Sequence, residues 1–167
     1  AATALYAQPH SAAMYRDAMR GVMDQAQELI EALTELTATG RENWRTEPVE
    51  LDGLVSKALL SALVPLRDPQ IRVRVRIGGL EPVWAHRSLV YRALLNLIWN
   101  AVQAMPSGGM LSVLGYVRGN RVVLEVGDTG VGIAAKDRNR VLQQRFSTKP
   151  GHRGMGLTLV RELIEKC

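Results

Sequence analysis

Between Arg92 and Met105 the chain reads RALLNLIWNAVQAM, and few folds can use such a segment. Leu89, Val90, Ala93, Leu94, Leu97, Ile98, Ala101, Val102 and Met105 recur at the spacing of one face of an α-helix. A helix with that stripe must bury it against other elements. On the border of the stripe stand Asn96 and Asn100, one helical turn apart and therefore pointing the same way. Each amide carries two donors and a carbonyl that need partners. Two readings stay open at this point: asparagines hydrogen-bonded into a neighbouring loop, or a pair of oxygen ligands facing a bound ion or polar ligand.

Two glycine clusters follow. The first, Val126-Gly127-Asp128-Thr129-Gly130-Val131-Gly132, ends the strand-like run Arg121 to Val126. The second, Gly151-His152-Arg153-Gly154-Met155-Gly156-Leu157, opens a helical pattern that continues to the end of the chain. Either cluster alone also describes an ordinary turn. Their order says more: an Asn-x-x-x-Asn helix, a strand ending in DTGVG, a polar insert, then GMGL entering a helix. Together they resemble the N, G1 and G2 boxes of the ATP-binding domain of sensor histidine kinases, a domain of the superfamily shared with gyrase, MutL and a heat-shock chaperone. Phe146-Ser147-Thr148-Lys149-Pro150 looks like the family's F box. The segment from Asn100 through Met105-Pro106-Ser107-Gly108-Gly109 is similar to the nitrogen-regulation type of kinase. The resemblance runs from about Thr46 to the C-terminus.

The fold it implies is an α/β (α+β) sandwich. A mixed β-sheet has helices packed on one face, and an ATP lid lies between the central helix and the last helix. An N-terminal helical arm over residues 1–40 precedes an ATP-binding domain over residues 41–167. The family normally adds a strand hairpin after the last helix, and this chain is expected to lack it.

The chain has 167 residues, enough for one core. No apolar run reaches membrane-spanning length, and the N-terminus lacks the plan of a signal peptide. With one cysteine, Cys167, no internal disulfide can form. A net charge of +5 suits phosphate-bearing or acidic partners without choosing among them.

In chain order, residues 12–38 read as a helix with an apolar stripe including Met19, Val22, Ala26 and Leu33, stopped by Thr39-Gly40. Such a helix needs a packing partner. By resemblance it pairs two chains as the second helix of a dimerisation hairpin; otherwise it docks on its own domain. No phosphoacceptor motif accompanies it, since His10 precedes Ser11 and Ala12 rather than an acidic residue. Pro48 limits a short strand near Glu50 to an edge. Residues 51–66 form a helix, and Ile71 to Ile77 alternates apolar residues with Arg72, Arg74 and Arg76, a solvated sheet face or a basic docking face. A short strand over Val83 to Ala85 leads to the central helix, with Ser88 expected as its cap. Met110–Val117 and Arg121–Val126 pair across a turn at Arg118-Gly119-Asn120. A short helix over 136–143, a lid over 144–153 and a last helix over 154–166 complete the chain.

The resemblance also assigns roles. Asp128 would accept a hydrogen bond from the adenine amine, with Gly130 and Gly132 permitting close backbone approach. Gly154, Met155, Gly156 and Leu157 would offer helix N-terminal amides to the phosphates. Thr148 and Lys149 would reach them from the lid, with His152 and Arg153 replacing the family's usual Gly-Thr. Asn100 would bind Mg²⁺, which needs few protein ligands beside phosphates and waters. Asn96 stands where hydrolytic relatives carry a glutamate that activates water. An amide cannot act as a general base, whereas an imidazole acceptor is already nucleophilic. Asn96, with Lys149, therefore suits phosphoryl transfer to protein rather than fast hydrolysis.

The expected function is thus the catalytic part of a two-component histidine kinase using ATP and Mg²⁺. Expected partners are a phosphoacceptor histidine domain, a response regulator and a second copy through the N-terminal helix. The expected setting is the cytoplasm, alone or within a larger membrane-anchored protein. A serine-directed kinase of the same superfamily and a non-catalytic nucleotide-binding module are the alternatives. Nucleic-acid binding is disfavoured because the arginines lack interleaved aromatics.

Overall fold

Alternation between apolar and charged residues makes Ile71–Arg76 a strand, and the apolar run after Arg87 makes a helix that can only cross over it. The computed structural model describes residues 45–63 and 70–141 except 139. It also describes 14, 15, 17–19, 21, 22 and 25 before them and 160, 161 and 164 after. The elements are β1 (Glu47–Val49), α1 (Leu51–Leu63), β2 (Ile71–Arg76), β3 (Val83–Ala85), α2 (Arg87–Ala104), β4 (Gly109–Arg118) and β5 (Arg121–Asp128). A single 3₁₀ turn, Ala135–Asp137, follows.

Strands β2, β4 and β5 form a three-stranded mixed sheet in that order. β2 runs parallel to β4, from Ile71 opposite Gly109 to Arg76 opposite Leu114. β4 and β5 are antiparallel, closing at Arg118 opposite Arg121. Gly119, in the two-residue turn between them, has φ +64°, as a hairpin of this length requires. β1 and β3 form a separate antiparallel pair with Pro48 opposite Trp84.

One core joins both helices to one face of the sheet. Leu54, Val55 and Ala58 of α1, Leu94, Ile98, Trp99 and Val102 of α2, and Leu111 and Val113 of β4 belong to it. Leu89 and Ala93 lie in a smaller cluster with Val160. Across the helix pair, Ser61 Oγ and Tyr91 OH share a 2.9 Å hydrogen bond, and Lys57 Nζ sits 5.1 Å from the Tyr91 ring centre, within cation–π reach. No helix among the described residues is long and apolar enough to cross a membrane.

On the opposite face, Tyr116 OH donates to Glu125. That bond, then desolvation and the carboxylate's charge, raises the Tyr116 phenol above 10.0. A raised folded-state pKa means that its contribution is complete below pH 10.0 and lost as pH rises through the folded value. In an NMR titration the Tyr116 ring should ionise above the ordinary range, and Glu125→Gln should lower its midpoint.

Several expectations need correction. The expected mixed sheet is present, and among the described residues β1 and β3 pair apart from it. α2 begins at Arg87 with His86 at the N-cap and no side-chain capping bond, so Ser88 lies inside the first turn and does not cap. Val73 and Val75, on the apolar face of the alternating run, are each 42% exposed, since β2 is the outer strand of its sheet among the described residues. Where a helix was expected over 136–143, the described part is the 3₁₀ turn, continued by Arg140 and Val141 amides donating to Asp137 O. Met14, Tyr15, 17–19, 21, 22 and 25 are helical, with Met19 packed on the core and Val22 55% exposed. The rest of the expected arm, the lid and most of the last helix lie outside the described residues.

Candidate functional site

The site begins on α2. Asn96, Asn100 and Ala104 recur every fourth residue and so form a single ridge along the helix. Asn96 is 1% exposed, not on the border of the apolar face but sunk into it, whereas Asn100 is half-buried. The Asn96 carbonyl oxygen, Oδ1, is buried and accepts no hydrogen bond. A buried polar atom without a partner is costly, so its retention on this ridge points to a polar occupant beside it.

At the C-terminal end of the ridge the DTGVG loop docks. β5 ends at Asp128, whose Oδ1 accepts the Gly130 amide at 2.8 Å. Asp128 is exposed, and its second oxygen has no partner among the described residues. Thr129 clasps β4: its amide donates to Met110 O at 3.2 Å, and its Oγ1 accepts from the Met110 amide at 3.0 Å. The Val131 amide then donates to Ala104 O at 3.0 Å, fastening the loop to the last turn of α2. This contact requires glycine at 130, where a Cβ would lie 2.3 Å from Ala104 O and 2.7 Å from Ala104 Cβ. Gly132 follows with φ +67°, a left-handed conformation that turns the chain away.

A second loop sets the helix end. The Gly108 amide donates to Met105 O and the Gly109 amide to Gln70 O, both at 3.0 Å. The PSGG segment thus ties the end of α2 to the start of β2, and the ridge is held at a fixed height above the sheet. The result is a helix face with two amides, bounded at one end by a carboxylate and by loop backbone.

Of the residues singled out from sequence, the structure brings Asn96, Asn100, Asp128, Gly130 and Gly132 to one helix face and the loop docked on it. Thr148, Lys149, Gly154, Met155, Gly156 and Leu157 lie outside the described residues, as do His10, His152 and Arg153. Sequence reasoning missed Ala104, Thr129 and Trp99. Ala104 and Thr129 act through backbone or local bonds that leave no compositional mark. Trp99 was visible as a large aromatic three residues after Asn96, and it is 3% exposed with its indole Nε1 unpartnered.

Whether this site suits a magnesium–nucleotide is a matter of donor chemistry. Among the described residues no cluster of three or more His, Cys, Asp or Glu could hold a metal. An ion held by phosphates, waters and one amide oxygen needs none. The half-buried Asn100 amide, the buried Asn96 amide and the outward carboxylate of Asp128 fit such a ligand.

Residues 85–167 match the family described as histidine kinase-, DNA gyrase B- and HSP90-like ATPase. The sensor-like histidine kinase SenX3 of Mycobacterium tuberculosis is 32% identical over 146 residues, covering 84% of this chain and 35% of that protein. The sensor histidine kinase ZraS of Escherichia coli is 30% identical over 121 residues, covering 72% of this chain and 26% of that protein. The chain therefore spans 35% or less of the length of these relatives. Among solved structures, the mycobacterial sensor histidine kinase MprB superposes with a TM-score of 0.62 at 30% identity, over 72% of this chain and 79% of that one. The catalytic domain of histidine kinase ThkA superposes at 0.65 with 22% identity, over 72% and 80%, a likeness of fold.

Proposed function

Because this chain belongs, through residues 85–167, to the histidine kinase-, DNA gyrase B- and HSP90-like ATPase family, we propose that it is the ATP-binding catalytic part of a two-component sensor histidine kinase. The observation that carries this reading is Asn96, a buried amide on the ridge where the DTGVG loop docks. A carboxylate there could activate water; an amide cannot, because it has no usable pKa. The γ-phosphoryl group then passes to a nucleophile that needs no such base, a neutral histidine imidazole on a dimerisation helix. The phosphorus–oxygen bond to ADP breaks as a nitrogen–phosphorus bond forms, and relay to a response regulator's aspartate follows.

Asp128 holds Gly130 with one oxygen and offers the other to the adenine amine. Gly130 lets the loop backbone lie against Ala104 of α2, and Gly132 turns it with φ +67°. Asn100 would hold magnesium through its amide oxygen, and the ion would offset the phosphate charge. On the strength of the motif resemblance, Thr148 and Lys149, with Gly154, Met155, Gly156 and Leu157, would complete the phosphate contacts. Residues 1–40 act as a pairing arm and 41–167 as the nucleotide domain. Support for pairing is the exposed apolar surface of Met14 and Val22 in the helical N-terminal segment. The setting is the cytoplasmic side of a larger sensor.

Incubated alone with radiolabelled Mg-ATP, the chain should bind nucleotide, hydrolyse it slowly and acquire no acid-labile phosphohistidine. Mixed with a helical hairpin bearing the family's histidine motif, it should label that hairpin slowly, since transfer between separate molecules lacks the proximity of a tethered acceptor. Acid-stable label on serine would replace this reading with the serine-kinase one. Asn100→Ala should leave the fold intact and make nucleotide affinity nearly insensitive to added Mg²⁺. An unchanged magnesium dependence in a folded variant would return Asn100 to a structural role.

A further inference from the structure

Trp99 is a large buried side chain to which the proposed function gives no task, and it ends in a donor with no acceptor. Its indole Nε1 is buried without a hydrogen-bond partner, as is Asn96 Oδ1. An indole can only donate, and an amide oxygen can only accept. The two residues sit three apart on α2, neighbours on the helix surface. Long side chains on a helix lean toward its N-terminus, over the residues three and four before them, which for Trp99 are Asn96 and Leu95. An orphaned donor and an orphaned acceptor on adjacent positions of one buried face complement each other.

We propose that Trp99 is a positioning residue for Asn96: its indole N–H and Asn96 Oδ1 are joined across one ordered water, so that the Asn96 amide nitrogen faces the nucleotide. This rests on the nucleotide reading above and refines it. With its carbonyl satisfied inward, Asn96 presents two donors outward, which suits an anionic phosphate oxygen rather than a cation. The two asparagines, for which a pair of oxygen ligands was one of two readings left open by their spacing, then divide the work. Asn100 would give oxygen to the metal, and Asn96 would give N–H to the phosphate. A water is the natural link, because a buried water pairs polar groups that cannot reach one another directly.

The test uses the ¹⁵N-labelled chain and its tryptophan indole resonances, with the Trp99 signal assigned by Trp99→Phe. Without nucleotide, the Trp99 N–H should exchange slowly with D₂O. Asn96→Ala should shift it and speed its exchange, while the N–H of Trp84, which is 72% exposed, stays in place. An unmoved Trp99 resonance in Asn96→Ala overturns the pairing, whatever the nucleotide result. Titrating the wild type with a non-hydrolysable ATP analogue should move the Asn96 side-chain NH₂ signals. Trp99→Phe keeps an aromatic ring in the core, and amide exchange of β4 reports whether it folds. It should weaken analogue binding about tenfold, the effect of losing one hydrogen bond's worth of orientation. Wild-type affinity in Trp99→Phe overturns the positioning role. Failure of the wild type to bind any nucleotide overturns the proposed function instead, and leaves the Trp99–Asn96 resonance test standing by itself.

Discussion

Gly130→Ala should destabilise the domain by about 3 kcal/mol and lower ATP affinity at least tenfold. The added methyl would lie 2.3 Å from Ala104 O and 2.6 Å from Ala104 C, both backbone atoms of a helix that is packed on the sheet. Neither side can yield cheaply. The last turn of α2 is tied to β2 through the Gly109 to Gln70 bond, and the loop is tied to β4 through Thr129. The variant must therefore lift the loop, breaking the Val131 to Ala104 hydrogen bond and moving Asp128 off its place. Urea unfolding measures the first effect and calorimetric titration with ATP the second. Wild-type stability in Gly130→Ala would mean that the loop is not seated on α2 as described.

Asp128→Asn should separate binding from folding. An asparagine oxygen can still accept the Gly130 amide, which Asp128 Oδ1 accepts at 2.8 Å, so the loop should keep its shape. The other oxygen becomes an NH₂ group, and a donor then faces the adenine amine, itself a donor. An unpaired polar group in a site costs about 1–3 kcal/mol, roughly a 5- to 150-fold loss of ATP affinity. Unfolding should be unchanged in denaturant. If the wild type binds ATP and GTP equally well, the adenine role of Asp128 is wrong.

How much of this was legible in the sequence differs from element to element. The period of α2 and the alternation of β2 are local, so both elements stand where the pattern puts them. The hairpin was equally plain, because Gly119-Asn120 can hardly do anything but turn. What failed was every property set by a distant neighbour. Asn96 reads as a border residue from the helical period, yet it is buried because α2 packs within a core that joins both helices and the sheet. Val73 and Val75 read as an apolar face, yet they are half-exposed because β2 is the outer strand of its sheet among the described residues. The cap at the start of α2 went to His86 rather than Ser88 because the strand β3 ends one residue before it, at Ala85. The division into two sheets could not be read at all, since strand pairing is a choice among partners and not a property of any one segment. In the site, residue types revealed Asn100 and Asp128, while the roles of Ala104 and Thr129 depend on backbone contacts visible only in three dimensions.

The parallel pairing of β2 with β4 has a kinetic consequence. The two strands lie roughly forty residues apart in sequence, and the chain between them includes α2, so this sheet closes only after a long excursion has been ordered. The helix that carries Asn96 and Asn100 is itself the spacer of that closure. It cannot come loose without undoing the pairing on both sides, and the sheet cannot pair until the helix is in place. The amide ridge should therefore exchange its backbone hydrogens only by unfolding of the whole domain, unlike a loop that opens by itself. A ligand held on such a ridge slows global unfolding as well as its own departure, which couples the lifetime of the folded protein to occupancy of its site.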